Sequence, residues 1–352
     1  MTTGTLTTET KAKNTPSLLV VIVNYRTPDL SIACLRSLAQ EVTTLPKLRV
    51  ALVDNASGDG SVEKIGEAIA QEGWSDWAAL LPSPHNGGYS YGNNYAIRPA
   101  LQQHNPPDYV LLLNSDAQVL PGALQALIDF LDTHPQVGIA GSAMINPDGS
   151  EWSTAFRFPS ILGEIEQGFR LGPVSKLLAK WSVAQPMGQH PQAIDWLPGA
   201  SMMVRRQVFE SIGLMDEGYF LYYEETDFCL QAKRAGWPCW YVPDSKVMHI
   251  AGQSTGVTDR THVPKRLPQY VFDSRRRYFL KNHGFFYLLA TDVVWTLAFS
   301  TWRLRRILQR KPDTDPPHLL WDRIRNSALF KLGTGLPNSN TPQATDAIAM
   351  EG

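Results

Sequence analysis

The stretch LLVVIVNYRTPDL (18–30), followed by LRVALVDNASGDGS (48–61), decides the fold. Each opens on a largely apolar run and closes on polar residues, Asn24-Tyr25 in the first and Asp54-Asn55 in the second. Apolar runs without alternation fit strands covered on both faces. WAALLP (77–82) and YVLLLN (109–114) repeat the pattern, and segments of helical length and spacing (29–41, 61–71, 90–103 and 121–133) separate or follow them. The alternation predicts an α/β fold, a Rossmann-like, mostly parallel sheet flanked by helices. In such sheets ligands bind outside the carboxyl ends of the strands, so the residues closing each run are the first functional candidates.

The fourth run closes on Asn114-Ser115-Asp116, and a Gly-rich connection, His85-Asn86-Gly87-Gly88-Tyr89, leads into Gly92-Asn93-Asn94. After Ser150 the periodicity loosens, so 151–195 reads as an insertion rather than more sheet. WLPGASMMV (196–204) then predicts a strand, 205–212 a helix, and 238–250 another strand-like run. The catalytic unit spans 18–270 and a helical extension 271–333. The polar ends, 1–17 and 334–352, are expected to be disordered.

Of 352 residues 43% are hydrophobic, enough for one large domain with an extra lobe. Lys+Arg (32) and Asp+Glu (33) nearly cancel, which gives no global field for nucleic acid and leaves an anionic ligand to local groups. Cys34, Cys229 and Cys239 lack paired spacing, and the N-terminus lacks the apolar core of a signal peptide. Both point to reduced thiols in the cytoplasm.

Neither G-x-x-x-x-G-K-[ST] nor G-x-G-x-x-G after the first strand is present, so phosphates need another counter-charge. Asp116 at a strand end offers one by holding Mg²⁺ or Mn²⁺, although it could equally cap the helix that follows. Asp54 in DNASGDGS could be merely a turn residue. The coincidence of Asp54, Asn86 and Asp116 at the ends of three consecutive strands favours one site. Glu224, Glu225 and Asp227 open a helix after an aromatic run. The helix dipole alone would favour acids there, but beside Phe220, Tyr222 and Tyr223 a partly desolvated carboxylate can serve as general base. His249 precedes a Gly/Ser/Thr loop and is a candidate third-point metal ligand with Asp116. Arg275, in the run Ser274 to Arg277, faces either a diphosphate or solvent.

The apolar stretch 285–302 is followed by Arg303, Arg305, Arg306, Arg310 and Lys311, and it carries Asp292, Thr296 and Ser300 on one narrow stripe. An unpaired Asp argues against a spanning helix. A helix lying on a membrane surface is expected, with docking on the core as the alternative.

Taken together, VVIVNYRTPDL, LVDNASGDGS, HNGGYSYGNNYAI, LLLNSDAQV, the long stretch from WLPGASMMV to AKRAGW, HIAGQSTG and SRRRYFLKNHG resemble glycosyltransferase family 2, in its rhamnosyl- and galactofuranosyltransferase branch. The resemblance covers Leu18 to Gly284. It implies a GT-A fold, a nucleoside-diphosphate-sugar donor, a divalent metal, inversion by direct displacement and a glycan or lipid-linked acceptor, with 151–195 on the acceptor side. By position it implies Asn24 and Asp54 toward the nucleoside and Asn86 and Asn94 lining the donor pocket, with Tyr25, Gly87, Asn114 and Ser115 also on the donor side. Asn114 and Asp116 would form the metal motif with His249 assisting, and Arg275 would assist at the diphosphate. Glu225 would be the base, with Glu224 and Asp227 as neighbours. The branch suggests dTDP-rhamnose first as donor and uridine-diphosphate sugars next, and a place on the inner face of the cytoplasmic membrane. One departure is plain: Asn114-Ser115-Asp116 stands where members often have Asp-x-Asp. Two other readings share the sheet order. A sugar nucleotidylyltransferase would need an Arg/Lys-bearing Gly-rich loop after the first strand, which NYRTPDL does not supply. A non-catalytic, membrane-associated scaffold would not need its full set of acids.

Overall fold

The computed structural model describes residues 15–249 and 265–331, so most of both expected tails and the loop after His249 lie outside the described residues. Strands β1 (Leu18–Asn24), β2 (Leu48–Asp54), β3 (Ala78–Pro82) and β4 (Tyr109–Asn114) alternate with helices α1 (Pro28–Val42), α2 (Ser61–Gln71) and α3 (Gly88–Leu101). There follow β5 (Ala117–Val119), α4 (Ala123–Thr133), β6 (Ile139–Ile145) and β7 (Glu151–Trp152), then α5 (Ile161–Phe169), α6 (Gly172–Leu177) and β8 (Gln192–Ile194). The chain continues through β9 (Ser201–Arg205), α7 (Arg206–Ile212), α8 (Glu224–Arg234) and β10 (Cys239–His249). Three helices close the described part: α9 (Gln269–His283), α10 (Phe285–Leu308) and α11 (Leu319–Arg325).

The strand order is β3-β2-β1-β4-β9-β6-β10-β5, with β7 paired to β6 and β8 to β10. The four N-terminal strands are parallel as expected, and the apolar runs of β1, β2 and β4 are buried because α1, α2 and α4 cover one face and α3, α7 and α8 the other, while β3 at the sheet edge is buried only at Ala78. Beyond β4 the sheet is mixed: β9 runs antiparallel to both neighbours, and β6 and β10 are parallel to each other. The sequence reading missed β6. IAGSAMI dilutes its apolar residues with Ala140, Gly141 and Ser142, and at Gly141 the space is taken by Leu197, whose side chain would lie 2.7 Å from an added Cβ. The segment 151–195 is largely off the sheet, contributing only β7 and β8 to its edges.

The C-terminal helices form a layer of their own around Tyr219, Tyr278, Phe279 and Leu288. Its interior is charged as well as apolar. Arg275 lies 2.6 Å from Asp292 and 3.1 Å from Glu164, and Glu164 also takes Arg323 at 2.6 Å, so one ion cluster joins α5, α9, α10 and α11. Removing a single member would leave an uncompensated buried charge, which is how such clusters make a packing arrangement specific. Asp292 also accepts the Ala328 N–H, so the expected polar stripe on α10 turns inward at that residue.

Candidate active site

Register brings the strand ends level. Asn24 pairs with Asp54, Asp54 with Pro82, and Asn114 with Val23. Asp54 is buried at this edge and accepts from Asn24 Nδ2 at 2.7 Å, Ser57 Oγ at 2.6 Å and Ser57 N–H at 3.0 Å. The Asn55 side chain bridges to Asn86 Oδ1 at 2.9 Å and to the Gly88 carbonyl at 3.1 Å, tying the second strand end to the Gly-rich connection. Tyr25 is half-buried under the Arg26 guanidinium, 5.1 Å from its ring centre. Asn86 and Gly87 sit at the rim, and Ser115 is buried, its hydroxyl 3.3 Å from that of Thr27.

A second cluster forms where β5 turns away from β4 and pairs antiparallel with β10, setting Ala117 opposite His249. His249 Nε2 thereby lies 3.0 Å from Asp116 Oδ1 and 3.3 Å from Asn114 Nδ2. A carboxylate oxygen and an imidazole nitrogen at that spacing match two adjacent ligands of one octahedral cation, which lie about 3 Å apart when each bond is about 2.1 Å. Among the described residues no group of three or more His, Cys, Asp or Glu side chains gathers to hold a metal, so a cation here would draw its other ligands from phosphate oxygens, water or the Asn114 amide.

The third component is the first turn of α8. Glu225 is half-buried and its Oε1 accepts the Gly199 N–H at 3.1 Å. Glu224 is only 2% exposed. Burial comes first in raising both carboxyl groups above the ordinary glutamate range, and for Glu224 the neighbouring Glu225 charge adds to it. Gly199 links the components. Its carbonyl accepts the Tyr89 hydroxyl at 2.8 Å, and the next carbonyl, of Ala200, accepts the Asn114 N–H at 3.3 Å. A Cβ at Gly199 would lie 2.4 Å from the Tyr89 oxygen, so a larger residue there would have to displace the Tyr89 ring. The Tyr89 phenol is pushed well up, first by burial and then by the charges of Glu225, Glu224 and Asp116.

Backbone strain collects at the same place. Tyr222 and Tyr223, just before Glu224, have φ of 68° and 69°, a left-handed conformation that costs a non-glycine residue about 1 kcal/mol or more. Gly88 (φ +84°) has no such penalty and meets a different constraint: a Cβ there would sit 2.0 Å from the Phe220 carbonyl, which accepts the Tyr89 N–H. The start of α3 is thus docked on the aromatic segment that aims α8.

Four expected site residues have their side chains engaged by other parts of the chain. Asn24 is fully buried, with both amide hydrogens given to Asp54 and Ser57 and its oxygen accepting from Thr27 and Ser31, so it braces the loop rather than facing a nucleoside. Asn94 is consumed in the same way by the Met215 backbone and Glu217, stapling α3 to the segment before α8. Asp227 lies one turn from the other acids and is held by Lys281 at 2.6 Å, Asn282 at 2.7 Å and Gln231 at 3.2 Å, which fasten α8 to α9. Arg275 spends its charge inside the helical layer on Glu164 and Asp292. Gly199 and Ser57 were missed, and Asn55 and Tyr89 were named only as parts of their turns. Nothing local marks them beyond turn and strand-end chemistry, since their partners lie in other elements.

Residues 19–212 match the family model described as glycosyl transferase family 2. The N-acetylglucosaminyl-diphospho-decaprenol L-rhamnosyltransferase of Mycobacterium tuberculosis is 31% identical over 225 residues, covering 61% of this chain and 70% of that protein. The dTDP-rhamnosyl transferase RfbF of Shigella flexneri is 23% identical over 290 residues, 81% of this chain and 87% of that one. Among solved structures, GalNAc-T7 with UDP, GalNAc and Mn²⁺ superposes with a TM-score of 0.53 at 15% identity. The match spans 89% of this chain and 55% of that one, a likeness of fold alone. The chain belongs to glycosyltransferase family 2, in its rhamnosyltransferase-like branch, and is a glycosyltransferase.

Proposed function

We propose that this glycosyltransferase is inverting and divalent-metal-dependent, and that it moves L-rhamnose from dTDP-rhamnose to a hydroxyl of a lipid-linked cell-envelope glycan. The observation that carries the mechanism is the placement of one half-buried carboxylate, Glu225, on the Gly199 N–H, while the next carbonyl, of Ala200, holds the backbone of Asn114 beside the Asp116–His249 pair. Glu225 takes the proton of the acceptor hydroxyl. The oxygen attacks the anomeric carbon from the face opposite the diphosphate, the carbon–oxygen bond to the diphosphate breaks, and the electron pair leaves with it. A single displacement inverts the centre. Asp116 and His249, with Asn114 beside them, would hold Mg²⁺ or Mn²⁺, which supplies charge stabilisation for a departing diphosphate. Tyr25, Asp54, Asn86, Gly87 and Ser115 line the edge assigned to the donor.

The names of the mycobacterial and Shigella relatives support the rhamnosyl donor, and the former supports a polyprenyl-diphosphate acceptor. Incubation of purified protein and Mn²⁺ with a panel of nucleotide sugars should release diphosphonucleotide fastest from dTDP-rhamnose. Faster release from a uridine-diphosphate sugar would replace that donor assignment.

A lipid-linked acceptor requires the enzyme at a membrane face, and α10 suits this. Among the described residues it is the one helix long and apolar enough to cross a membrane. Its inner face, however, is docked on α5, α9 and α11 and holds the Asp292–Arg275 pair, which disfavours spanning. Its outer face leaves Phe286 83%, Leu297 65% and Leu304 61% exposed, and Arg310 and Lys311 follow at the polar end. An in-plane helix on anionic lipid fits this division. The protein should co-sediment with phosphatidylglycerol vesicles, and Leu297→Glu with Leu304→Glu should lower the bound fraction at least about tenfold, since two buried apolar contacts are replaced by charges that are costly in the interface. Equal binding by the double variant would remove α10 from the membrane.

A further inference from the structure

Glu224 has no part in the proposed displacement, yet its surroundings are unusual for an ionisable group. It is almost fully buried, and its Oε2 has no hydrogen-bond partner among the described residues. An ionised carboxylate oxygen without a donor in such a place is costly, so the neutral acid is the form that burial selects. Glu225 is the next residue, and hydrogen bonding between the two carboxyl groups is among the causes that raise Glu224 and counter the raising of Glu225. Two carboxylates cannot hydrogen-bond to each other unless one carries a proton. Glu225 is the partner better able to lose it, being half-exposed and held by the Gly199 N–H.

From this arrangement we infer that Glu224 is a positioning residue: it keeps its proton at neutral pH and donates it as a hydrogen bond to the Glu225 carboxylate, fixing that base against the Gly199 N–H. The inference rests on the reading of Glu225 as base. The groups facing the pair are the Tyr89 phenol from α3, the Gly199 N–H from the turn before β9, and, through Tyr89, Asp116. The Arg275–Glu164–Arg323 cluster stands behind Tyr223. The direction of the titration agrees: burial raises Glu225, and the hydrogen bond from Glu224 lowers it again, while Glu224 itself is raised further by its neighbour.

The test is the pH profile of kcat/KM in three forms of the full chain. Glu224→Gln retains a hydrogen-bond donor and should keep the acid limb where the wild type has it. Glu224→Met removes the donor and should move the limb up by about one pH unit, as expected for losing a hydrogen bond to a charged group. A limb that stays put in Glu224→Met, or that moves as far in Glu224→Gln as in Glu224→Met, overturns the inference. Infrared difference spectra provide a readout independent of turnover and of the methionine variant's folding. The wild type at neutral pH should show a protonated-carboxyl band that disappears in Glu224→Gln, and its absence from the wild type would equally overturn the inference. If Glu225→Gln proved fully active, the base assignment would fall while the infrared band still reported on Glu224, so the two failures are distinguishable.

Discussion

Replacing Glu225 by Gln is expected to reduce sugar transfer by about a thousandfold, within the span that loss of a positioned general base produces. Donor binding should change by no more than a few-fold, because the side chain faces the acceptor oxygen and not the diphosphate in the proposed displacement. The pH dependence carries the same signature. Glu225 must be ionised to accept a proton, and burial raises it above the ordinary glutamate range. Activity of the wild type should therefore fall on the acid side, through a limb lying higher than an exposed glutamate would give. Release of the diphosphonucleotide and formation of the glycosylated product, followed together, separate transfer from donor hydrolysis. Wild-type transfer rates in the glutamine variant would end the base assignment.

The other large effect is expected at Asp116. Asp116→Asn keeps the size of the side chain and a carbonyl oxygen but loses the charge that would neutralise part of a cation. Loss of a group that merely orients a metal ligand costs about 10–100-fold in affinity, so loss of the ligand's charge should cost at least about a hundredfold. Calorimetric titration of Mn²⁺ in the presence of dTDP gives the affinity, and turnover against Mn²⁺ concentration gives the functional counterpart. His249→Ala should weaken both in the same direction, since its Nε2 is 3.0 Å from the Asp116 oxygen. A metal dependence unchanged in Asp116→Asn would mean that the pair is a hydrogen bond inside the sheet edge and nothing more.

Much of this site was legible before the structure because its parts lie at the ends of runs that a single physical rule identifies. A strand buried on both faces must be apolar throughout, so Leu18–Asn24, Leu48–Asp54 and Tyr109–Asn114 announce both themselves and the polar residues that end them. The acids at the start of α8 were equally visible. Their division of labour was not. Glu225 and Asp227 differ in surroundings, and so in their proposed roles, because Lys281 and Asn282, fifty-odd residues away, cover Asp227 and leave Glu225 open.

The run Arg275 to Arg277 shows the same limit from the other side. As a sequence it resembles a solvated basic face, yet all three residues are buried in the helical layer, with Glu164 and Asp292 about Arg275 and Asp216 against Arg277. Against the burial that alone would raise it, hydrogen bonds from Arg277 and Lys281 hold the Asp216 carboxyl below its usual range. Charge patterns along a chain say which groups need partners, and say nothing of where the partners come from.

By itself the sequence determined the sheet-and-helix alternation and which residues stand at strand ends, because both depend on local hydrophobicity and short-range order, and the order of its motifs carried the family resemblance. The tertiary structure alone decided that β9 enters antiparallel between β4 and β6, that β5 leaves β4 to bring Asp116 to His249, and that Gly199 joins Glu225 to Tyr89. Those are contacts between elements far apart in the chain. They are selected by packing and by the need to pair buried polar groups, which no local pattern of residues encodes.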